Sequence, residues 1–133
     1  MPHLSFEYSA NLAEAVDIDT LCAVLHAAAM DSGLFELGAL RVRAHRCENY
    51  AVADQLPENA FLHLMISVGS GRDEAVLQAA GEVVWSALTR ALADRFETPN
   101  FALTMEIREI DPRFSWKRNA IHPRIRAQQE TGT

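Results

Sequence analysis

The alternation of apolar and polar positions predicts two successive β-α-β units in this chain. Residues 3–8 form a short mixed segment suited to a strand, and apolar residues then recur at helical spacing over residues 17–30. Either Asp17 or Asp19 is suited to cap this helix, and Gly33 lies just past its end. Residues 38–47 alternate between apolar and polar side chains, which predicts a strand with one polar face.

The second half of the chain repeats this order. Residues 61–68 predict an apolar strand, and Gly69-Ser70-Gly71 predicts a sharp turn. A long helix is predicted over residues 72–96, and a strand over residues 101–110 closes the unit. The inner stripe of this helix is predicted to consist of Val76, Ala80, Val83, Ala87, Ala91 and Leu92.

These elements predict an α/β fold, more closely an α+β two-layer sandwich. Each β-α-β unit implies a right-handed crossover and a parallel strand pair, so the sheet has four strands and is mostly parallel or mixed. Two helices cover one face, and oligomerisation is expected to bury the other. We expect a single domain over residues 1–126, with halves at about 2–48 and 60–111 and a polar, frayed tail at 127–133.

Composition narrows the classes of partner. The net charge of -6 over 133 residues argues against a general nucleic-acid binder. No apolar run approaches the ~20 residues that span a bilayer, and the N-terminus has no basic segment followed by an apolar one. The two cysteines, Cys22 and Cys47, are far apart and are interpreted as reduced thiols of a cytoplasmic protein. The five histidines show no metal-binding spacing.

Pro2 is the first candidate for chemistry. Initiator methionine is usually removed before a residue as small as proline, which would leave Pro2 with a free secondary amine. An unperturbed α-amino group titrates near ~8, so modest burial or a nearby cation leaves it partly neutral at pH 7. The competing interpretation is that Pro2 is simply the residue that begins the first strand.

Arginines are the second set of candidates. Arg41 and Arg43 share one strand face and need carboxylates, solvent or an anionic ligand as partners. Arg72 follows a glycine-rich turn at a predicted helix N-terminus, where acids are the favoured residues. A surface salt bridge is the favoured interpretation for Arg43, whereas for Arg41 and Arg72 a salt bridge and an anion-binding role both stay open.

Other polar and aromatic residues have structural interpretations. His45 continues the arginine face and is placed at a possible subunit contact, and His63 is interpreted as a satisfied core histidine. Trp85 and Trp116 are interpreted as packing residues. Phe101, Phe114 and Trp116 also fit the apolar wall of a pocket, and the sequence does not separate these alternatives.

The Met-Pro-His start, the strand Gly38-Ala39-Leu40-Arg41-Val42-Arg43, the turn Gly69-Ser70-Gly71-Arg72 and the element order together resemble the tautomerase superfamily. The resemblance is closest to the 5-carboxymethyl-2-hydroxymuconate isomerase family. It extends to about Arg126 and includes the segment from Phe101 to Asn119.

This resemblance implies a tautomerase-like homotrimer without cofactor or metal. It also implies a cytoplasmic isomerase that moves a proton between the enol oxygen and a carbon of an unsaturated dicarboxylate or tricarboxylate, as in bacterial breakdown of homoprotocatechuate. By the same resemblance, Pro2 is the acid–base group, and Arg41 and Arg72 bind the substrate. No nucleic acid and no membrane is expected as a partner.

Three alternatives stay open at this point. The first is another keto–enol tautomerase, such as one acting on phenylpyruvate, which would need fewer arginines. The second is a non-catalytic trimeric binding protein on the same fold. The third is a structural interaction module whose uncovered sheet face is only an oligomer interface.

Overall fold

A computed structural model describes residues 2–131 of the chain. Its strands and longer helices are β1 His3–Ser9, α1 Ile18–Asp31, β2 Arg41–Cys47, β3 Ala60–Gly69, α2 Glu74–Ala91, β4 Phe101–Ile110 and α3 Ile121–Glu130. Short 3-10 helices occupy Ala10–Glu14, Leu37–Ala39, Ala93–Glu97 and Pro112–Phe114. None of the helices within residues 2–131 combines the length and the apolar character needed to cross a bilayer.

The four strands form one mixed sheet in the order β2-β1-β3-β4. The pairs β1–β2 and β3–β4 are parallel, as two β-α-β units require, and β1 and β3 meet antiparallel in the middle. The predicted pair of β-α-β units and the mixed sheet are therefore confirmed. The antiparallel pairing brings the start of β1 beside the end of β3, because His3 pairs with Ser67.

Helices α1 and α2 pack on one face of the sheet and enclose the core. Asp17 is the cap of α1, since its carboxylate accepts a hydrogen bond from the Thr20 amide at 3.2 Å. Leu4, Phe6, Leu64 and Ile66 are the central buried side chains of β1 and β3. They pack against Leu25 of α1 and against Val84 and Leu88 of α2.

Helix α2 differs from its predicted form in length and in phase. It begins at Glu74, with Asp73 as the preceding cap residue, and ends at Ala91 before a 3-10 turn. The predicted stripe was partly wrong, because Val76 and Val83 are 46% and 40% exposed. Ala80 and Leu92 are buried as predicted, whereas Val84 and Leu88 are buried in place of Val83 and Ala87, one position further along the helix. The small residues at 80 and 81 let the helix approach β4, where a methyl group on Gly81 would meet Ile107.

The opposite face of the sheet carries no helix. The register places three basic residues of β2 on this face, namely Arg41, Arg43 and His45, beside His3, Ser5 and Glu7 of β1. His63 also lies on this face, where its ring contacts Thr104 Oγ1 at 2.6 Å and Glu106 Oε1 at 3.3 Å. The interpretation of His63 as a core histidine was wrong, because β3 turns every second side chain away from the helices.

Helix α3 was not predicted. It follows an extended stretch after Pro112–Phe114. Because it carries no buried residue, its sequence lacks the apolar periodicity from which a helix is predicted. Pro123 fits because it lies in the first turn, where backbone amides lack intrahelical partners. The helix reaches Glu130, so residues 127–130 of the predicted frayed tail are helical, although they are exposed. Residues 132–133 of that tail lie outside the described residues.

Candidate active site

A cavity of about 750 Å³ opens at the end of the two central strands where β1 begins and β3 ends. Four stretches of chain line it: Pro2, residues 33–39 between α1 and β2, residues 68–72 at the end of β3 and in the turn that follows, and the C-terminal stretch from Lys117 to Arg126. The antiparallel pairing of β1 with β3 creates this meeting point, because it sets the chain start against the glycine-rich turn. The cavity therefore joins segments that are far apart in sequence.

Pro2 lies half-buried in the wall of this cavity. It precedes the first residue of β1, and the pairing of His3 with Ser67 puts Pro2 beside Val68 of β3. Val68 is fully buried and also lines the cavity. The Pro2 ring is thus held between a rigid strand and an open space large enough for a small molecule.

Arg72 lines the same cavity and is held by main-chain carbonyls. Its Nη1 donates to the Gly69 carbonyl at 3.0 Å, and its Nη2 donates to the Leu34 carbonyl at 3.4 Å. These bonds fix the guanidinium between the turn after β3 and the loop after α1. No carboxylate of residues 2–131 lies within 4.0 Å of it, so the surface salt bridge considered for Arg72 is absent there. Its remaining N–H groups are available to an anion.

Arg41 does not line this cavity. It begins β2, faces the uncovered side of the sheet and borders a smaller depression together with Leu37, Leu40 and Arg118. No carboxylate of the described part of the chain is an ion-pair partner of Arg41 either. Within one chain, then, Pro2 and Arg72 share a cavity, whereas Arg41 lies on the neighbouring surface.

Arg43 has a histidine as its partner in place of the predicted carboxylate. Its Nη1 lies 3.1 Å from His3 Nδ1. Because a guanidinium only donates, His3 Nδ1 is the acceptor and the ring proton is on Nε2. Burial, with the charges of Arg41 and Arg43, lowers the pKa of His3. His3 is therefore held neutral beside the two arginines.

Sequence reasoning missed the contribution of the C-terminal stretch. Lys117, Asn119, His122 and Arg126 all line the cavity. The signal was the resemblance of the segment ending at Asn119 to its family, which identified the segment but not the direction of its side chains.

Asn119 fixes the entry of the chain into α3. Its side-chain amide donates to the Gly38 carbonyl at 2.8 Å, and its oxygen accepts from the amides of Ile121 and His122 at 2.8 and 3.2 Å. The last two bonds satisfy amides that have no partner inside the helix. One side chain thus anchors the C-terminal stretch to the Leu37–Ala39 turn.

Glu36 is the acid of this cavity and is engaged by two bases. Its Oε2 lies 2.9 Å from Arg126 Nη2 and 2.9 Å from His122 Nε2. The hydrogen bond and charge of Arg126 hold the pKa of Glu36 below its ordinary value, with a smaller contribution from His122. Glu36 therefore stays ionised and offsets positive charge contributed by α3.

The aromatic candidates lie elsewhere. Trp116 and Phe114 are 87% and 69% exposed, so Trp116 is not a packing residue and neither side chain lines the cavity. Trp85 packs against the core as predicted, and Phe101 does so beside Phe96. Cys22 and Cys47 are free and half-buried, and burial together with the charge of Asp19 raises the pKa of the Cys22 thiol.

Residues 2–125 match the family model of 5-carboxymethyl-2-hydroxymuconate isomerase. The chain belongs to this family. It is 31% identical over 122 residues to the 5-carboxymethyl-2-hydroxymuconate Delta-isomerase of Escherichia coli, over 92% of this chain and 97% of that protein. The family member from Deinococcus radiodurans R1 has a crystal structure with a TM-score of 0.86 at 36% identity, covering 93% of each chain.

The fold extends to more distant proteins. A fused 4-OT protein, described as a wild-type symmetric trimer, has a TM-score of 0.64 at 12% identity and covers 87% of this chain and 93% of its own. That likeness bears on the fold alone. The predicted family and the tautomerase-like fold are confirmed, and the protein is an isomerase of the tautomerase superfamily.

Proposed function

We propose that this family member converts 5-carboxymethyl-2-hydroxymuconate to its 2-oxo isomer in homoprotocatechuate breakdown, with Pro2 as the acid–base group. The observation that carries the proposal is that Pro2 and Arg72 line one cavity of about 750 Å³. A neutral amine and an unpaired guanidinium are the two groups needed to move a proton on a polycarboxylate. The names of the relatives support the choice of substrate.

The reaction is a proton shift with no net oxidation. The neutral Pro2 nitrogen takes the proton of the 2-hydroxyl group, and the oxygen lone pair forms the C=O bond as charge spreads along the conjugated chain. The protonated Pro2 then delivers the same proton to a carbon of that chain. Arg72 holds a carboxylate and stabilises negative charge at the 2-oxygen. Nearby cations also favour the neutral form of the Pro2 amine.

The proposal includes a cytoplasmic homotrimer in which Arg41 joins the site. The uncovered sheet face and the free edges of β2 and β4 support self-association. Arg41 lies on that face, outside the cavity of its own chain. Sedimentation analysis tests the trimer, and a monomer that retains full activity would contradict this part of the proposal.

Intact mass and an ultraviolet assay of ketonisation test the role of Pro2. The active protein is expected to lack Met1, and Pro2→Ala is expected to lower kcat by about 10²-fold, because acid–base groups contribute roughly 10²–10⁴. Pro57→Ala is the matched control, since Pro57 lies in an exposed loop away from the cavity. A fully active protein that retains Met1, or a Pro2→Ala variant with unchanged kcat, would refute the proposal.

A further inference from the structure

The basic side chains that line the cavity outnumber the acidic ones. Arg72 comes from the turn after β3, whereas Lys117, His122 and Arg126 come from the C-terminal stretch. The acid on this wall is Glu36, and it is already engaged by Arg126 and His122 at 2.9 Å each. The charge of Arg126 is thereby offset within the protein itself.

Lys117 has no such partner. No carboxylate of residues 2–131 lies within 4.0 Å of its ammonium group, and the same holds for Arg72. Two unmatched cations therefore line one cavity with Pro2, and they enter it from different segments. Two cations that share a cavity and have no acid of their own as partner repel one another, and a ligand with two anionic groups relieves that repulsion.

The position of Lys117 is built into the fold. Along the extended segment, Lys117 and Asn119 line the cavity, whereas Trp116 is 87% exposed and Arg118 borders the separate depression beside Arg41. Asn119 is anchored to the Gly38 carbonyl at 2.8 Å, only two residues beyond Lys117. The direction of the Lys117 side chain therefore follows from a fixed anchor and an alternating backbone.

We propose that Lys117 is a specificity-determining residue that binds a second carboxylate of the substrate, distant from the group held by Arg72. This inference rests on the proposed function for the identity of the substrate. Lys117 contributes binding and leaves the proton transfer to Pro2. With Lys117 as a second cation, the cavity of one chain can bind two carboxylates although Arg41 of that chain lies outside the cavity.

Substrates with different numbers of carboxylates test the inference kinetically. Lys117→Ala is expected to raise KM for 5-carboxymethyl-2-hydroxymuconate about 10- to 100-fold, the range for a lost charge-assisted hydrogen bond, with kcat nearly unchanged. Ketonisation of the enol of phenylpyruvate, which has one carboxylate, is expected to be unaffected. Lys117→Arg should restore most of the lost affinity, and Arg124→Ala, an exposed residue of α3 outside the cavity, is the control. An equal rise in KM for both substrates, or no rise for either, would overturn the inference.

A binding experiment separates this inference from the proposed activity. Lys117 is the only lysine of the sequence, so reductive ¹³C-methylation gives one dimethyl-lysine NMR signal beside the signal of the methylated N-terminal amine. Activity is measured on the unmethylated protein, because methylation also alters the Pro2 nitrogen. Adipate, a six-carbon dicarboxylate, is expected to shift this signal, whereas hexanoate at the same concentration is not. A shift in a protein that does not isomerise the muconate would refute the proposed function and leave the role of Lys117 standing. An active protein whose lysine signal ignores adipate would refute the role of Lys117 alone.

Discussion

Gly38 is the position at which one methyl group would most directly disturb the candidate site. It is buried in the Leu37–Ala39 turn, and a Cβ built there would lie 2.5 Å from the Cα of His122 and 2.7 Å from its Nδ1. The first of these atoms belongs to the main chain of α3, so no side-chain rotation removes the clash. Gly38→Ala must therefore move the C-terminal stretch away from the turn.

The structure sets the size of this effect. Overpacking of a close contact costs about 1–3 kcal/mol, and the hydrogen bond from Asn119 to the Gly38 carbonyl, 2.8 Å long, contributes roughly 1 kcal/mol more when lost. No residue of α3 is buried, and the ion pairs that hold the helix are the exposed contacts of Glu36 with His122 and Arg126. The overpacking and the lost hydrogen bond together amount to about 2–4 kcal/mol, which changes the ratio of docked to undocked helix by roughly 30- to 700-fold.

Hydrogen exchange read by mass spectrometry, together with KM, measures this undocking. In Gly38→Ala the amides of Ile121–Glu130 should exchange faster, and KM for the polycarboxylate should rise because Lys117 and Asn119 leave the cavity wall. The urea midpoint of global unfolding should change little, since the core formed by α1, α2 and the sheet remains intact.

Gly81→Ala is the matched control. Its added Cβ would lie 3.1 Å from Ile107 Cδ1, the mobile end of a side chain, and the substitution gains up to about 1 kcal/mol of helix propensity. Exchange in α3 and KM should stay at the values of the unmodified protein. Unchanged α3 exchange and unchanged KM in Gly38→Ala would refute the account of how the C-terminal stretch is positioned.

Two further predictions concern the basic residues around Pro2. Arg72→Ala should lower kcat/KM for the polycarboxylate about 10- to 100-fold, as expected for loss of a charge-assisted contact. Arg72→Lys should recover only part of this loss, because a compact ammonium lacks the planar fork that reaches the two carbonyls and an anion at separate nitrogens. Equal activity of Arg72→Ala and the unmodified protein in the ultraviolet assay would contradict this. His3 has a lowered pKa through burial and the charges of Arg41 and Arg43, so the unfolded chain binds its proton first and stability should fall as pH drops below about 6.5. Urea titrations at several pH values should show a weaker acid dependence in His3→Gln, and identical slopes in the two proteins would argue against it.

The local pattern of the chain determined most of its elements. Apolar residues at helical spacing sufficed for α1, and alternation sufficed for β4, because these patterns report which side chains face the core. The strand predicted over residues 38–47 is correct only from Arg41, because Leu37–Ala39 forms a 3-10 helix. Which face of α2 is buried was harder to predict from the sequence. Alanines occur on several faces of this helix, and the buried glycine at 81 carries no hydrophobic signal. The start of the chain and the glycine-rich turn before Arg72 pointed to the family because both are local motifs.

Tertiary structure alone decided how the site is composed. The antiparallel pairing of β1 with β3 brings Pro2 to the turn that holds Arg72, whereas Arg41 is directed to the other face by the alternation of β2. Lys117 joins them because Asn119 bonds to the carbonyl of a glycine 81 residues earlier in the chain. Such contacts follow from long-range packing and from a main-chain group that every residue carries, so no spacing along the sequence could reveal them.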